Sequence, residues 1–300
     1  MTIYDIIKGE VPDYFIPRIL NREVAFPMTI CIAAICESGE SIVVASDRMI
    51  TAGFLALEYE HPGSKLDRIS PCIVGLTAGD ALIVTELFGL CRDRIQELQT
   101  PAVAKVAEVV KDQFINLRKR QVEELYLRPR GLTLEEFYRE GYINRLPDQL
   151  AFTLDSDMWK QGLGLDVIIA GVDDTGAHIY GIDDPGTLHC YDRIAYHAVG
   201  SGLTHALLTL AGNQHCQERS VNETVFLVYE AKKRAELAPG VGSATEIGIV
   251  AAKKVVELSD EDKRLLQEIY TQKVTPRLED VEGAVADLPF AGILREEKDG

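Results

Sequence analysis

Residues 29–48 read Thr-Ile-Cys-Ile-Ala-Ala-Ile-Cys-Glu-Ser-Gly-Glu-Ser-Ile-Val-Val-Ala-Ser-Asp-Arg. Two apolar runs, each of about strand length, lie on either side of a polar segment that contains a glycine. This pattern predicts a hairpin of two strands. Because the runs are continuous and do not alternate with polar residues, we expect strands that are covered on both faces.

Beyond Arg48 the sequence predicts a second hairpin and then alternating groups of helices and strands. Residues 54–59 and 69–77 form this second hairpin, with His61-Pro-Gly-Ser64 as its turn. Apolar residues three to four positions apart predict the helices, and apolar runs predict the strands. The predicted helices are about 81–91, 101–120, 204–212, 222–236 and 260–273, and the later strands are 166–171, 177–182, 194–199 and 246–251. This order predicts two packed sheets covered by helices.

The other segments are additions to one main domain. Residues 1–28 contain three prolines and no clear apolar period, so we interpret them as an N-terminal extension or propeptide. The main domain covers 29–258, and 259–300 form a C-terminal helix and tail. Residues 121–162 are rich in charge and turn formers, with a short helical stretch near 133–140, which predicts an inserted subdomain or lid.

The composition excludes several classes of protein. The chain has 31 Lys and Arg against 47 Asp and Glu, a net charge of −16, so we expect no nucleic-acid partner. No apolar run reaches the ~18–20 residues of a membrane helix, and the N-terminus lacks the pattern of a secretory signal. The six cysteines have no CxxC spacing and lie mostly in apolar segments, as in a reducing compartment. We therefore expect a cytoplasmic protein with no membrane association.

Four short segments form a specific pattern when they are taken together. In order, they are Ala45-Ser-Asp-Arg48, Ser64-Lys-Leu66, Gly75-Leu-Thr-Ala-Gly-Asp-Ala81 and Val199-Gly-Ser-Gly202. From Thr29 to about Ala251, leaving out 121–162, the chain resembles a proteasome β-type subunit, a threonine hydrolase of the N-terminal nucleophile family, in a bacterial proteasome-like form. The resemblance implies an α+β fold, the four-layer αββα sandwich, with an inserted helical segment. It also implies a homo-oligomeric ring.

By this resemblance Thr29 is the nucleophile, made amino-terminal by removal of everything before it. A hydroxyl is a weak nucleophile at neutral pH, and a free α-amine, with an unperturbed pKa of about 7.7–8.0, can act as its base. Asp47 and Lys65 match the family's acidic residue and lysine, whose charges would tune the pKa of that amine. The alternative for Thr29 is an ordinary β-branched residue at the start of a strand. The alternative for Asp47 and Lys65 is a structural ion pair.

Three other positions are assigned by the same resemblance. Gly79 lies where the family directs a backbone N–H at the oxyanion, although the loop is about three residues shorter here. Ser201 matches the serine that holds the amine and the nucleophilic water, and Ser243 matches a further site serine. Gly79 is otherwise the end of a strand, and Ser201 part of a Gly-rich turn. The family's remaining aspartate is either replaced by Glu236 or missing.

Several other clusters have ordinary structural explanations. Asp-Asp-x-Gly is typical of hairpin turns, and the two His-Cys pairs lack the spacing of metal ligands. The Gly-rich segment that starts at Gly200 lacks the Gly-Lys pair of a phosphate loop. We therefore expect neither a metal nor a cofactor. The clusters concerned are Asp173/Asp174, Asp183/Asp184, His189-Cys190, His215-Cys216 and 200–204.

The resemblance predicts a peptidase or other amide hydrolase that works through an acyl-enzyme on Thr29. Its substrate would be a peptide or protein, and the residues near Met49, Ile50 and Thr77 would form the specificity pocket; an ATPase partner is neither predicted nor excluded. The alternatives are a non-catalytic ring or scaffold subunit, which would retain 1–28, and a small-molecule amidase, because a fold alone fixes no substrate.

The route to an amino-terminal Thr29 is a separate question. Pro27 and Met28 precede it, whereas the family's precursors have glycine before the cleaved bond. Our hypothesis is that the physiological chain begins at Met28 and that removal of this methionine exposes Thr29. Self-cleavage between Met28 and Thr29 is the alternative.

Overall fold

The computed structural model describes residues 29–52, 57–61, 63, 65–98, 102–139 and 141–274. The predictions for 1–28, for part of the second hairpin and for the tail after 274 lie outside these residues. The strands are β1 (Cys31–Cys36), β2 (Ser41–Asp47), β3 (Met49–Ala52), β4 (Leu57–Glu60), β5 (Leu66–Ser70), β6 (Ile73–Gly79), β7 (Leu165–Asp173), β8 (Gly176–Asp183), β9 (Thr187–Cys190), β10 (Tyr196–Val199), β11 (Thr245–Ala251) and β12 (Lys254–Glu257). The helices are α1 (Ala81–Gln96), α2 (Val103–Val122), α3 (Leu134–Tyr138), α4 (Asp148–Lys160), α5 (Leu203–Gly212), α6 (Val221–Ala235) and α7 (Asp260–Lys273).

The first sheet contains the predicted hairpin at its centre. Its described strands have the order β10-β1-β2-β11-β12, and every neighbouring pair is antiparallel. In the hairpin Cys31 lies opposite Ser46 and Cys36 opposite Ser41, so the turn falls at the polar segment as predicted. The fold is a mixture of helices and antiparallel sheets, which agrees with the α+β class.

The second sheet has the described order β5-β6-β7-β8-β9 and is also antiparallel. The predicted pairing of 54–59 with 69–77 is wrong. Leu57–Glu60 pairs with Met49–Ala52 in a separate two-stranded ribbon, and the run 69–77 is divided between β5 and β6. Pro71 explains the division, because it has no N–H to donate to a ladder, and Cys72 N donates to Ser70 Oγ in the resulting turn.

The two sheets pack against each other, and helices cover their outer faces. Alternate residues of β1 and β2 face the second sheet, and the intervening residues face α5 and α6. On the other side of the second sheet, Ile73 and Val167 pack against α1 and α2. The core between the sheets includes Cys31, Ala33, Ile35, Ile42, Val44, Val74, Leu76, Ile168, Ala170 and Ile179. Burial on both faces is what the continuous apolar runs predicted for β1 and β2.

The segment 121–162 is helical and has a small core of its own. This core contains Val122, Tyr126, Leu127, Phe137, Leu154 and Met158. The prediction of a short helix near 133–140 corresponds to α3, whose first turn is closed by a capping box of Thr133 and Glu136. The sequence analysis missed α4, because Phe152 and Trp159 are about three-quarters exposed and blur its apolar face.

The margins of the fold contain two strands that the sequence analysis missed, β9 and β12. They also contain the terminal helix α7, which it predicted. Both strands are edge strands with mostly exposed side chains, so neither forms an apolar run. Helix α7 begins after the capping residue Ser259, and its Tyr270 ring contacts that of Tyr229 on α6. In the part of the chain that the structure describes, no helix combines the length and the apolar character needed to cross a membrane.

Candidate active site

Thr29, Asp47 and Lys65 form a buried cluster of polar side chains. Thr29 lies just before β1 and is 3% exposed. Its Oγ1 donates a hydrogen bond to Asp47 Oδ1 and accepts one from Lys65 Nζ. Lys65 Nζ also donates to Asp47 Oδ1, at 2.7 Å. The structure thus brings together the three side chains to which the resemblance gave the central chemistry.

Local structure explains why these three residues meet. Asp47 is the last residue of β2, and its backbone N–H donates to Ile30 O beside the start of β1. Lys65 immediately precedes β5 in the second sheet, where Leu66 is anchored in the core between the sheets. The cluster therefore lies at one end of the interface between the two sheets, and both contribute to it.

Asp47 is fully buried, and its carboxylate has partners on both oxygens. Oδ1 accepts from Thr29 and Lys65, while Oδ2 accepts from Gly242 N at 2.8 Å. A buried carboxylate is stable in the ionised form only when nearby charges and donors replace its water shell. The ammonium of Lys65 and the Gly242 N–H perform this role here.

The predicted Gly-rich segment packs directly on Thr29. Gly200 has a φ of +102°, and a Cβ at this position would lie 2.3 Å from Thr29 O, so only glycine fits. Gly202 N donates to Thr29 O at 3.4 Å, and Ser201 Oγ lies at the same distance from this oxygen. Ser201 Oγ also lies 2.9 Å from Pro239 O. Ser201 is therefore beside the Thr29 carbonyl, but its single hydroxyl proton is better placed to bond to Pro239 O.

Ser243 belongs to a loop beside Asp47, and it is held there by Glu60. Ser243 N, Ala244 N and Ser243 Oγ donate to Glu60 Oε1 at 2.7, 3.0 and 3.2 Å. These hydrogen bonds, that from Ala244 N foremost, lower the pKa of the Glu60 carboxyl below its usual value. The sequence analysis missed Glu60, and no local pattern identifies it, since it lies in a short strand far along the chain from its partners.

Glu236 lies near the same loop but bonds to lysines. Its carboxylate accepts from Lys232 Nζ and, at 2.7 and 2.9 Å, from Lys233 Nζ. Both of the partners of Ser201 Oγ described above are carbonyl oxygens. The structure therefore does not join Glu236 to Ser201 in the way that a substitute for the family's aspartate requires.

Lys232, which the sequence analysis treated only as part of a helix, is also close to the site. Its side chain is fully buried, and Nζ donates to Gly242 O and Ser243 O, both at 2.9 Å. Burial lowers the pKa of Lys232, while the hydrogen bond and charge of Glu236 oppose this shift. A cation is thus held behind the loop whose Gly242 N–H binds Asp47.

Gly79 ends β6 at the same end of the sheets. Cys31 Sγ lies 3.3 Å from Thr77 O, which ties β6 to β1 just beyond Thr29. Gly79 has a φ of +148°, and a Cβ there would lie 2.4 Å from Gly164 O. Close packing of these two backbone segments is thus sufficient to require glycine at this position, independently of any role of its N–H at an oxyanion.

One member of each aspartate pair discussed above has a structural role. Asp184 accepts from Leu163 N at 3.1 Å and Gly164 N at 2.7 Å, and so supports the loop that packs on Gly79. Asp173 accepts from Thr175 N, Thr175 Oγ1 and Val103 N. The bonds from Thr175 are those of a turn, whereas the bonds from Val103 N, Leu163 N and Gly164 N join each carboxylate to a segment distant in sequence.

Comparison with known proteins adds nothing to these observations. No protein-family model matches the chain, and no curated protein matches it significantly. The chemistry of the site therefore depends on the cluster itself: a hydroxyl that contacts both a lysine ammonium and a buried carboxylate, beside a glycine-rich turn.

Proposed function

We propose that the chain is a threonine hydrolase of the N-terminal nucleophile type, which cleaves peptide or other amide bonds through an acyl-enzyme on Thr29. The observation that carries this proposal is the placement of Thr29 Oγ1 between Asp47 and Lys65. The packing of two antiparallel sheets between helix pairs supports the further proposal that the fold is the four-layer αββα sandwich of that family.

The proposed reaction begins with attack of Thr29 Oγ1 on the carbonyl carbon of the substrate. The proton of the hydroxyl passes to the free α-amine of Thr29 as the oxygen–carbon bond forms. The amine then gives this proton to the leaving nitrogen, and the carbon–nitrogen bond breaks. Water hydrolyses the resulting ester by the same proton route, which restores Thr29.

The neighbouring groups assist these steps electrostatically. The ammonium of Lys65 donates to Oγ1 and favours negative charge on that oxygen, while Asp47 is the counter-ion of Lys65. Gly79 N is the proposed donor to the oxyanion, a contact of a kind whose loss typically costs ~10²–10³ in rate. Ser201 and Ser243 are proposed to order the segments around Thr29.

The mechanism requires Thr29 to have a free amino group. We propose that residues 1–28 are absent from the active enzyme, either because the chain begins at Met28 and loses it or because the Met28–Thr29 bond is cleaved. A variant that starts at Met28 is then expected to have Thr29 at its terminus and to be active. The same variant with Thr29→Ala is expected to be inert.

The decisive experiment combines intact mass with a covalent probe. A peptide carrying a vinyl sulfone is incubated with the Met28-start protein, and the modified residue is located by mass spectrometry. Attachment to Thr29, absent in Thr29→Ala, supports the proposal. A mature chain that keeps 1–28 and still hydrolyses amides excludes Thr29 as an N-terminal nucleophile.

A second candidate is a non-catalytic scaffold subunit of the same fold. The pairing of Glu236 with Lys232 and Lys233 favours it, because no carboxylate among the described residues then bonds to Ser201 to complete a serine network. In that case Thr29 remains unlabelled and residues 1–28 are retained in the protein purified from its host. A small-molecule amidase would instead be labelled at Thr29 without cleaving peptides.

We further propose a cytoplasmic homo-oligomeric ring with peptide or protein substrates. Support comes from large apolar side chains that remain exposed in the single chain, with Phe152, Trp159, Leu82 and Leu208 each at least 66% exposed. Sedimentation analysis of the Met28-start protein tests this proposal, and a single species at the monomer mass overturns it.

A further inference from the structure

We propose that Lys232 is a positioning residue of the Thr29 site, which holds the loop 240–244 so that Gly242 N–H stays bonded to Asp47. This inference rests on the hydrolase function proposed above, but the contact itself is tested separately. Lys232 is distant from Thr29 in sequence and lies on α6, behind the loop.

A continuous series of short contacts connects Lys232 to Asp47. Lys232 Nζ lies 2.9 Å from Gly242 O, and Gly242 N lies 2.8 Å from Asp47 Oδ2. The carbonyl that receives the ammonium and the N–H that reaches the carboxylate therefore belong to the same residue. A second bond from Nζ to Ser243 O fixes the next carbonyl as well.

The burial of Lys232 is costly unless it has a specific role. Taking an ammonium out of water costs several kcal/mol, and an apolar side chain fills the same helix position without that cost. The ammonium has three N–H donors, and the contacts to Glu236, Gly242 O and Ser243 O use all three. Such complete satisfaction fixes the ammonium, and with it the loop, in one geometry.

The loop has little room to adopt another path. A Cβ at Gly242 would lie 2.9 Å from Glu60 Oε1 and 3.4 Å from Met49 N. Glu60 holds the following residues by accepting from Ser243 N and Ala244 N. The loop is thus held from α6 by a cation and from β4 by an anion, with Asp47 in contact with its Gly242.

The charge of Lys232 also acts on the site. Asp47 and Glu60 bond to the loop, and Lys65 and Glu236 pair with Asp47 and Lys232 behind it. Arg48, Lys233, Asp260, Lys263 and Arg264 line a pocket together with Ser243 and Ala244. Lys232 offsets part of the negative potential of Asp47 at Thr29. Its removal makes that potential more negative, which stabilises the protonated α-amine and so raises the pH at which the amine becomes an available base.

Lys233 provides a matched control. It bonds to the same Glu236 carboxylate, is adjacent in sequence and is 18% exposed, but its hydrogen bonds go to Glu236 and not to the loop carbonyls. Lys232→Met is compared with Lys233→Met, so that both variants lose one lysine from the same ion-pair group. Lys232→Gln is a second variant, which keeps N–H donors and removes the charge.

The first measurement is amide hydrogen exchange of peptides covering 240–244. In wild-type protein we expect slow exchange there, although the loop lies outside the helices and strands. We expect exchange on the order of tenfold faster in Lys232→Met and unchanged in Lys233→Met. Exchange in wild type at the rate of an unprotected peptide overturns the proposal without any variant, as does equal exchange in wild type and a folded Lys232→Met.

The second measurement is the pH dependence of vinyl sulfone labelling at Thr29 in the Met28-start protein. We expect labelling of Lys232→Met at pH 7 to be about tenfold slower or more, because a loosened loop misplaces the groups around Thr29. We also expect the midpoint of its pH profile to lie at higher pH, because the potential at the α-amine is more negative. Lys232→Gln is expected to recover slow exchange in the loop but not the midpoint. Faster exchange of the loop in Lys232→Met, together with an unchanged labelling rate and an unchanged midpoint, contradicts a role of Lys232 at Thr29. If wild-type Thr29 is not labelled, the hydrolase proposal fails, and exchange alone decides whether Lys232 holds the loop.

Discussion

Lys65 Nζ lies 2.7 Å from Asp47 Oδ1, although Asp47 ends a strand of the first sheet and Lys65 precedes a strand of the second. Asp47 is fully buried and Lys65 is 14% exposed. The ion pair therefore joins the sheets at the edge of their shared core, and Thr29 Oγ1 contacts both of its members.

The first prediction concerns this pair. Lys65→Met is expected to abolish most turnover, because Thr29 Oγ1 loses its cationic donor. It is also expected to lower the free energy of unfolding at pH 7 by about 3 kcal/mol or more, since Asp47 becomes a buried charge without its counter-ion. Asp47→Asn is expected to reduce activity less. Urea unfolding and peptide turnover measure the two effects.

Arg68→Met is the control for this prediction. Arg68 lies on the strand that follows Lys65 and pairs with Glu257, but both side chains are over a third exposed. Its loss is expected to change stability by no more than about 0.5 kcal/mol. The double variant Lys65→Met with Asp47→Asn should regain stability without activity. Full turnover by Lys65→Met on a substrate that the wild type cleaves contradicts the mechanism.

The second prediction concerns Gly200. Gly200→Ala is expected to destabilise the protein by roughly 2 kcal/mol or more, because its Cβ would overlap Thr29 O and its φ is positive. Activity is expected to fall with it, since Thr29 must move. Gly212→Ala is the matched control: it ends α5, and a Cβ there meets no described atom within 4 Å. A stability of Gly200→Ala equal to that of Gly212→Ala would disprove this account.

The third prediction is a pH dependence that arises from Glu60. Its folded-state pKa is lowered, so its contribution to stability is complete above the unfolded-state value of about 4.3 and is lost as the pH falls through the folded-state value. We expect the urea midpoints of wild type and Glu60→Gln to differ by a constant amount above about pH 5. The difference should shrink in more acidic solution.

Ser243→Ala tests the same contact from the other side. It removes one of the three hydrogen bonds to Glu60 Oε1 and retains the two from backbone N–H groups. The acid-sensitive part of the stability should therefore become smaller without vanishing. A wild-type curve parallel to that of Glu60→Gln from pH 3 to pH 6 would show that the carboxylate does not stabilise the loop.

The fourth prediction concerns the helical insert. Replacement of 123–160 by a short Gly/Ser linker is expected to leave a protein that unfolds cooperatively, because the insert has its own core. The two ends to be joined are close, since Arg118 on α2 donates to Gln161 O at 2.7 Å. Assembly or substrate access should change. Loss of a cooperative transition in circular dichroism would show instead that the insert belongs to the main core.

Local sequence patterns were sufficient for the parts of the fold that depend on neighbouring residues. The hairpin 29–48 follows from two apolar runs and one turn, and Asp47 follows as its last residue. Pro71 was a local signal as well, and giving it more weight would have divided 69–77 correctly. The exposed aromatic residues of α4, in contrast, obscure the periodicity on which a helix prediction depends.

The support of the site depends on contacts that no local pattern records. Glu60 and Ser243 are 183 positions apart, and Asp47 and Gly242 are 195 apart. Lys232 resembles any solvated lysine of a helix until the 240–244 loop is seen to cover it. The grouping of Thr29, Asp47 and Lys65 in one site could be predicted only from the family resemblance, because no local pattern in the sequence records contacts between distant residues.

The meeting of two sheets at Thr29 has a consequence for the order of folding events. The hairpin that carries Thr29 and Asp47 has only local contacts and can form early. Lys65 reaches Asp47 only when the second sheet docks on the first. Gly242 reaches Asp47 only when β11 has paired with β2. If Thr29 is the nucleophile proposed above, its reactivity is expected only after the two sheets have docked. In the proposed hydrolase, a nascent or half-assembled molecule therefore has Thr29 and Asp47 together but lacks the Lys65 ammonium, and we expect it to be unreactive.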